Sequence, residues 1–204
     1  MREMTRDDAQ YVVAWRNQPE IRRFLFDSEP LTVERHLAFF EKTQARGDVM
    51  LMLDTPEGEP IGTHGFYNFD APRTMAEYGR FCRGIDRRSP WDMKEAIYLG
   101  HRLMFELLGL QRAYFSTLAE NTAVRRLMSF IPFLQEGYRP RHLLTPLGYM
   151  DLVEAGMFAE GFEAKKPDME PPLYGDEAPP RFEPAALQLA ERMKQFVASP
   201  HDPR

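Results

Sequence analysis

The chain has 204 residues, 43% hydrophobic and 28% charged, with a formal net charge of −5, which suits one soluble globular domain plus an appendage and leaves two full domains cramped. The acidic excess argues against a dedicated nucleic-acid binder. A single cysteine, Cys82, excludes an intramolecular disulfide framework and a multi-cysteine zinc site, five histidines without paired spacing speak against a metal centre, and no apolar run approaches the ~20 residues of a membrane span.

The stretch from Met1 to Asp8 lacks the apolar run of a signal peptide, so the expected compartment is the reducing cytoplasm. In chain order, Asp7 and Asp8 open a helix through Trp15 that ends before Pro19, and residues 20–26 read as a second, short helical piece. Thr32 suits the N-cap of a helix to about Ala45, with Leu37, Phe39 and Phe40 as bulky face residues and Gly47 beyond its end. Val49–Asp54 alternates toward a strand, Pro56-Glu57-Gly58-Glu59 makes a turn, and residues 61–68 return as the partner. Residues 76–84 form a third strand. The strongest pattern is the helix over 90–108, where Met93, Ala96, Ile97, Gly100, Leu103, Met104 and Leu107 recur at helical spacing and Gly109 follows. Residues 112–118 are a strand, Asn121 caps a helix that ends before Pro132, and 133–144 with 149–162 close as a hairpin around Thr145-Pro146-Leu147-Gly148. The expected fold is an α/β sandwich of the α+β type around a mostly antiparallel sheet, with one long helix packed on it.

Composition shifts near residue 163. Residues 163–183 hold prolines at 167, 171, 172, 179 and 180 and six acidic side chains, a density that reads as a linker or draped arm. An amphipathic helix follows over 184–197, with Ala186, Leu189, Ala190, Met193 and Val197 as its apolar stripe. Such a stripe covers either its own domain or a second subunit of a homodimer. The expected division is therefore 1–162 as the main domain and 163–204 as the arm.

The order of elements resembles the GNAT superfamily of CoA-dependent N-acyltransferases, in the branch acting on sugar amines and protein N-termini. Carrying the resemblance are Trp15-Arg16-Asn17 with Ile21-Arg22-Arg23, the strand Ile61-Gly62-Thr63-His64-Gly65-Phe66-Tyr67-Asn68-Phe69-Asp70, and Ala76-Glu77-Tyr78-Gly79-Arg80-Phe81. Leu108-Gly109-Leu110, Ala119-Glu120-Asn121, Arg126-Leu127, Gln135-Glu136-Gly137, Arg141-His142 and Tyr149-Met150-Asp151 continue it, so that it covers residues 1–162. The resemblance implies an acyltransferase that moves an acyl group, usually acetyl, from acyl-CoA to a primary amine of a small metabolite, amino sugar or peptide N-terminus.

Two positions depart from the family pattern. The family cradles the CoA pyrophosphate with a glycine-bearing loop at the start of the long helix, where main-chain N–H groups approach the phosphates. Here that stretch is Asp86-Arg87-Arg88-Ser89-Pro90-Trp91-Asp92, with Ser89 and Trp91 in place of the two glycines. One reading is a self-satisfied helix start, with Ser89 as N-cap and Pro90 at the first position. In the other, Arg87 and Arg88 replace the lost phosphate donors, with Ser89 and Trp91 beside the cofactor. The second departure is Met128, where the family often carries a tyrosine that protonates the leaving thiolate; methionine has no proton to give, and Ser129 could relay one through water.

By position in the family, Glu77 is the candidate base and Asn121 a contact to the pantetheine arm. Main-chain N–H groups of Phe81, Cys82 and Arg83 are the expected oxyanion donors. Arg23, Phe24, His64 and Arg80 are the expected acceptor-side residues. An arginine in a central strand needs an anion, either a carboxylate or phosphate of a substrate or, as the more expected partner of Arg80, Glu77, Asp70 or Asp86. His142 and Asp151 read as a cross-strand pair. A second function remains open at this level: a protein of the same fold that no longer uses CoA and acts on, or binds, another ligand in the groove.

Overall fold

The computed structural model describes residues 1–25, 27, 29–70, 74–84, 90–145 and 148–198. Seven strands form one sheet: β1 (Arg2–Glu3), β2 (Val49–Asp54), β3 (Pro60–Tyr67), β4 (Met75–Arg83), β5 (Arg112–Leu118), β6 (Leu134–Thr145) and β7 (Gly148–Phe158). Their spatial order is β1-β2-β3-β4-β5-β7-β6, antiparallel throughout except for the parallel pair β4–β5. The fold class read from the sequence is the one observed.

Helices cover both faces. Helices α1 (Ala9–Arg16) and α3 (Val33–Ala45) lie on one, and Val12, Trp15, Phe40, Met50, Met52 and Cys82 share a core there. Between them runs a single helical turn, α2 (Pro19–Arg22), shorter than the sequence suggests. The opposite face carries α4 (Pro90–Arg102), whose Ile97, Tyr98 and the following Met104 meet Phe66, Tyr78, Ala113 and Phe115 in the larger core. β2 feeds both cores because successive strand side chains point to opposite faces: Val49 and Leu51 go one way, Met50 and Met52 the other. The β2–β3 turn forms where Gly58 adopts φ +88° and its N–H meets the Thr55 carbonyl at 2.9 Å. At its end α4 widens into a π-helical turn over Leu103–Leu107, which Gly109 closes at φ +69°. Helix α5 (Thr122–Met128) is capped by Asn121, whose Oδ1 accepts from the Val124 N–H at 3.2 Å.

Two differences from the sequence reading stand out. The last strand ends at Phe158 rather than 162, and the segment read as a proline-rich arm begins with a helix, α6 (Ala159–Tyr174), that contains Pro167, Pro171 and Pro172. Each proline removes one ladder donor, yet all three lie on the exposed side, while Phe162 and Met169, seven residues apart, are buried against α4. Tertiary burial outweighs local propensity here. Lys166 adds ion pairs at 2.6 Å to Glu106 and to Glu163, and the Tyr98 hydroxyl donates to Glu170. Helix α7 (Pro184–Ala198) then packs on β1 and the π-helical turn, burying Leu189, Ala190 and Met193, with Arg192 on Glu3.

Three histidines are enclosed: His36, His64 and His101. Burial lowers them to about 4, 3 and 4, so all are neutral in the folded protein at pH 7. On unfolding they regain the ordinary value near 6.5, so below that pH the unfolded chain binds more protons and stability falls with falling pH. The melting temperature is expected to hold steady above pH 6.5 and drop between pH 6.5 and 4, with a slope approaching three protons. A flat profile over that window would exclude neutral burial of these rings.

Candidate active site

β4 and β5 are paired only across Met75–Glu77 and Arg112–Tyr114. Beyond that seam they part, leaving a wedge between the remaining length of β4 and β5. β4 itself is irregular. Gly79 pairs with Gly65 and Cys82 with Thr63, so Arg80 and Phe81 together stand opposite His64 alone, and Arg80 takes φ +56°. The bulge places Gly79 and Arg80 on the α1/α3 face and returns Phe81 to the α4 face, where its ring lies 6.0 Å from His64 and 5.0 Å from Tyr78. Past the bulge the ladder resumes, with the Gly84 N–H donating to the Ile61 carbonyl at 2.7 Å. Antiparallel alternation then directs the Cys82 N–H toward β3 and turns the Arg83 N–H to the wedge.

Glu77 sits at the seam. One carboxylate oxygen accepts from the Tyr67 hydroxyl at 3.1 Å and the other from Asn68 Nδ2 at 2.8 Å. No cation among the described residues pairs with it. The Tyr67 hydroxyl reaches it by crossing Gly79, where a Cβ would lie 2.6 Å from Tyr67 Oη. Burial and the Glu77 carboxylate raise Tyr67 well above the usual phenol range, so it stays a donor.

Arg80 lies with its guanidinium 4.1 Å over the Tyr67 ring and 5.1 Å from Phe39, and Nη2 meets Asp48 at 2.7 Å. This corrects the expected partners: Glu77 is held by Tyr67 and Asn68, Asp70 accepts from Thr74 and the Met75 N–H, and Asp86 lies outside the described residues. Asp48, three residues past Ala45 at the end of α3, gives no sequence signal of this role. Arg16, at the end of α1, is half-buried nearby, and burial lowers its pKa. Burial pushes the Cys82 thiol up to about 12, with Arg16 pulling weakly the other way. Iodoacetamide at pH 8 is therefore expected to leave Cys82 unmodified in the native protein and to label it once urea unfolds the chain; rapid native labelling would contradict this.

Other predicted residues fall elsewhere. His64 is a correction: it is fully buried under α4, among Phe66, Tyr78 and Phe81, with Nε2 3.1 Å from Met1 Sδ, and it does not face an acceptor groove. Strand alternation fixes that it opposes its neighbours but not which face is open. Ser129 closes α5 and donates its hydroxyl to the Arg126 carbonyl at 2.7 Å, while Met128 is buried in the core. Arg23 follows α2 and stacks on Phe24 at 4.6 Å. Asp151 accepts from the Arg141 N–H at 2.7 Å and from the Tyr138 hydroxyl, in place of the expected His142. Arg87, Arg88 and Ser89 lie outside the described residues, as does the side chain of Trp91. Among the described residues no group of three or more His, Cys, Asp or Glu is placed to hold a metal ion, and no helix is long and apolar enough to cross a membrane.

A carboxylate at the seam of two parting parallel strands, with a turned-out main-chain N–H on one lip, defines the class of an acyltransferase wedge. The sequence profile of the acetyltransferase (GNAT) domain matches residues 1–131. No curated protein sequence matches the chain. Among solved structures, spermidine N-acetyltransferase from Vibrio cholerae in complex with CoA and spermine aligns at TM-score 0.72 and 16% identity, over 79% of this chain and 96% of that one. A GCN5-related N-acetyltransferase from Brucella melitensis aligns at 0.69 and 20%, over 93% and 89%. An N-acetyltransferase from Staphylococcus aureus Mu50 aligns at 0.66 and 16%, over 78% and 96%. The chain belongs to the GNAT acetyltransferase family. It is an N-acyltransferase, and the acyl donor of its family is acetyl-CoA.

Proposed function

We propose that the chain acetylates the primary amine of a small molecule (a metabolite, an amino sugar or a short peptide N-terminus), with acetyl-CoA as donor substrate in the β4–β5 wedge. The observation that carries this reading is the Glu77 carboxylate at the point where the strands part, held by two neutral donors and, among the described residues, by no cation. The wedge suits a donor with an amide-bearing arm, because the β4–β5 ladder covers Met75–Glu77 alone and the rest of β4 presents its edge to the wedge. Asn121, at the head of α5, stands as a further contact for that arm, and Arg87 and Arg88 as phosphate contacts.

Bound acetyl-CoA supplies an activated acyl carbon. Glu77 takes a proton from the acceptor ammonium, directly or through one water, and frees the nitrogen lone pair to form the new C–N bond. The Arg83 N–H faces the negative charge that builds on the carbonyl oxygen. As the C–S bond breaks, the second proton of the new C–N nitrogen passes to water; Met128 gives none to sulfur, and CoA departs as the thiolate and is protonated from water, which a thiol with an ordinary pKa tolerates. Calorimetric titration with acetyl-CoA and free CoA, followed by thiol release across an amine panel, tests the reading. Saturable binding and amine-dependent thiol release are expected. No binding at millimolar CoA would overturn it and favour a fold that serves another ligand.

A further inference from the structure

We infer that the acceptor amine carries an oxyanion, a carboxylate or a phosphate, which Arg16 and Arg80 bind on the same face of β4 as Glu77. The inference rests on the acetyl-transfer reading above and names its substrate class. Charge balance around these residues is the first argument. Arg16 is half-buried, no carboxylate among the described residues lies within salt-bridge distance of it, and its Nε is buried without a hydrogen-bond partner. Arg80 is 12% exposed and satisfied at one end only: Nη2 meets Asp48, while Nη1 is buried and unpartnered. Asp48 is also shared with Arg46 at 3.0 Å. One buried carboxylate thus serves two guanidinium groups, and Arg16 adds a third charge beside them, faced at longer range by Asp27, which is itself paired with Arg35 at 2.8 Å. Leaving a buried charge uncompensated is costly, and a bound anion removes that cost.

The second argument is backbone strain. Arg80 is not glycine, yet it sits at φ +56° in the bulge that turns its side chain onto this face. Such conformations are strained and persist where the surroundings hold them. Placement is the third. The Arg80 guanidinium stacks on the Tyr67 ring, and that ring's hydroxyl donates to Glu77, so base and cation are one side chain apart. β-Alanine and 2-aminoethyl phosphate carry nitrogen and anionic oxygen four and five bonds apart, a span of about one side chain. Guanidinium forks match carboxylate and phosphate alike. They oppose a polycation.

The test compares β-alanine, 2-aminoethyl phosphate, propylamine and spermidine as acceptors, reading thiol release as kcat/KM. At least one of the two anionic amines is expected to exceed propylamine and spermidine by about 100-fold, and which of them leads separates carboxylate from phosphate recognition. Arg16→Gln is expected to raise KM for that amine at least ~10-fold with little change in kcat, in KM for acetyl-CoA or in turnover of propylamine. Arg16→Lys, which keeps the charge without the fork, should fall between, and Arg80→Lys serves as the second variant should Arg16→Gln fail to fold. Equal turnover of propylamine or spermidine, or a loss in Arg16→Gln that is the same for neutral and anionic amines, overturns the inference while leaving acetyl transfer intact. Calorimetry with β-alanine and 2-aminoethyl phosphate alone separates the other failure: binding that depends on Arg16, without thiol release from any amine, would keep the anion site and sink the reaction.

Discussion

Glu77→Gln is expected to lower kcat/KM for amine acetylation by about 10²–10⁴-fold at pH 7, the range that a positioned general base contributes. Binding of CoA should be unchanged, because the carboxylate is engaged by Tyr67 and Asn68 on the face of β4 proposed for the acceptor. The sign of the pH dependence follows from the chemistry. A primary amine is mostly protonated at pH 7, so without a base only the small neutral fraction reacts. The variant's rate should climb about tenfold per pH unit until the amine's own pKa, and its deficit against the parent should shrink over the same range. A loss under tenfold, or a deficit constant from pH 7 to 9, would remove Glu77 from the reaction. Tyr67→Phe keeps the carboxylate and deletes one donor, so a smaller loss is expected from it.

Phe162→Ala carries the largest expected loss of stability, about 3–5 kcal/mol. Its ring is fully buried, 5.6 Å from Tyr98, 5.9 Å from His101 and 5.5 Å from Phe105. Packing matters more here than in an ordinary helix, because three prolines leave α6 short of ladder hydrogen bonds. At about 2–4 °C per kcal/mol for a chain of this size, the melting temperature should fall by roughly 6–20 °C. Limited proteolysis should then cut within residues 159–183. A shift under about 3 °C with unchanged protease resistance would show that α6 stands without this anchor.

The contrast between α4 and α6 shows what the amino-acid order reveals. α4 is legible because Met93, Ala96, Ile97 and Met104 repeat at helical spacing and a glycine follows, so local pattern and tertiary packing agree. In α6 they disagree: proline density points to an arm, and only the pocket beside Tyr98, on a helix some seventy residues earlier, makes a helix worthwhile. β1, two residues long, has no pattern to read. In the site, Glu77 and Arg80 are visible as charges in a strand that should be apolar. Asp48 and Tyr67 are not, since nothing in a turn aspartate or a strand tyrosine announces a partner thirty-two or ten residues away. His64 is misplaced on the acceptor side because period-two alternation is symmetric between faces.

The seam between β4 and β5 has a mechanical consequence. Four strands on one side and three on the other are each stitched edge to edge, but among the described residues the two plates share a ladder over three residue pairs only, Met75 to Glu77, extended by the Thr74 carbonyl, which accepts from the Gln111 and Arg112 N–H groups. Force or thermal motion applied across the sheet concentrates there, as at the spine of a half-open book. On the proposed reading, a molecule lodged between the covers adds rungs that β5 does not supply, and so stiffens a joint otherwise held by the seam and the shared core. Glu77 sits at that spine, so a group bound to it stays beside the part of the seam that remains laddered.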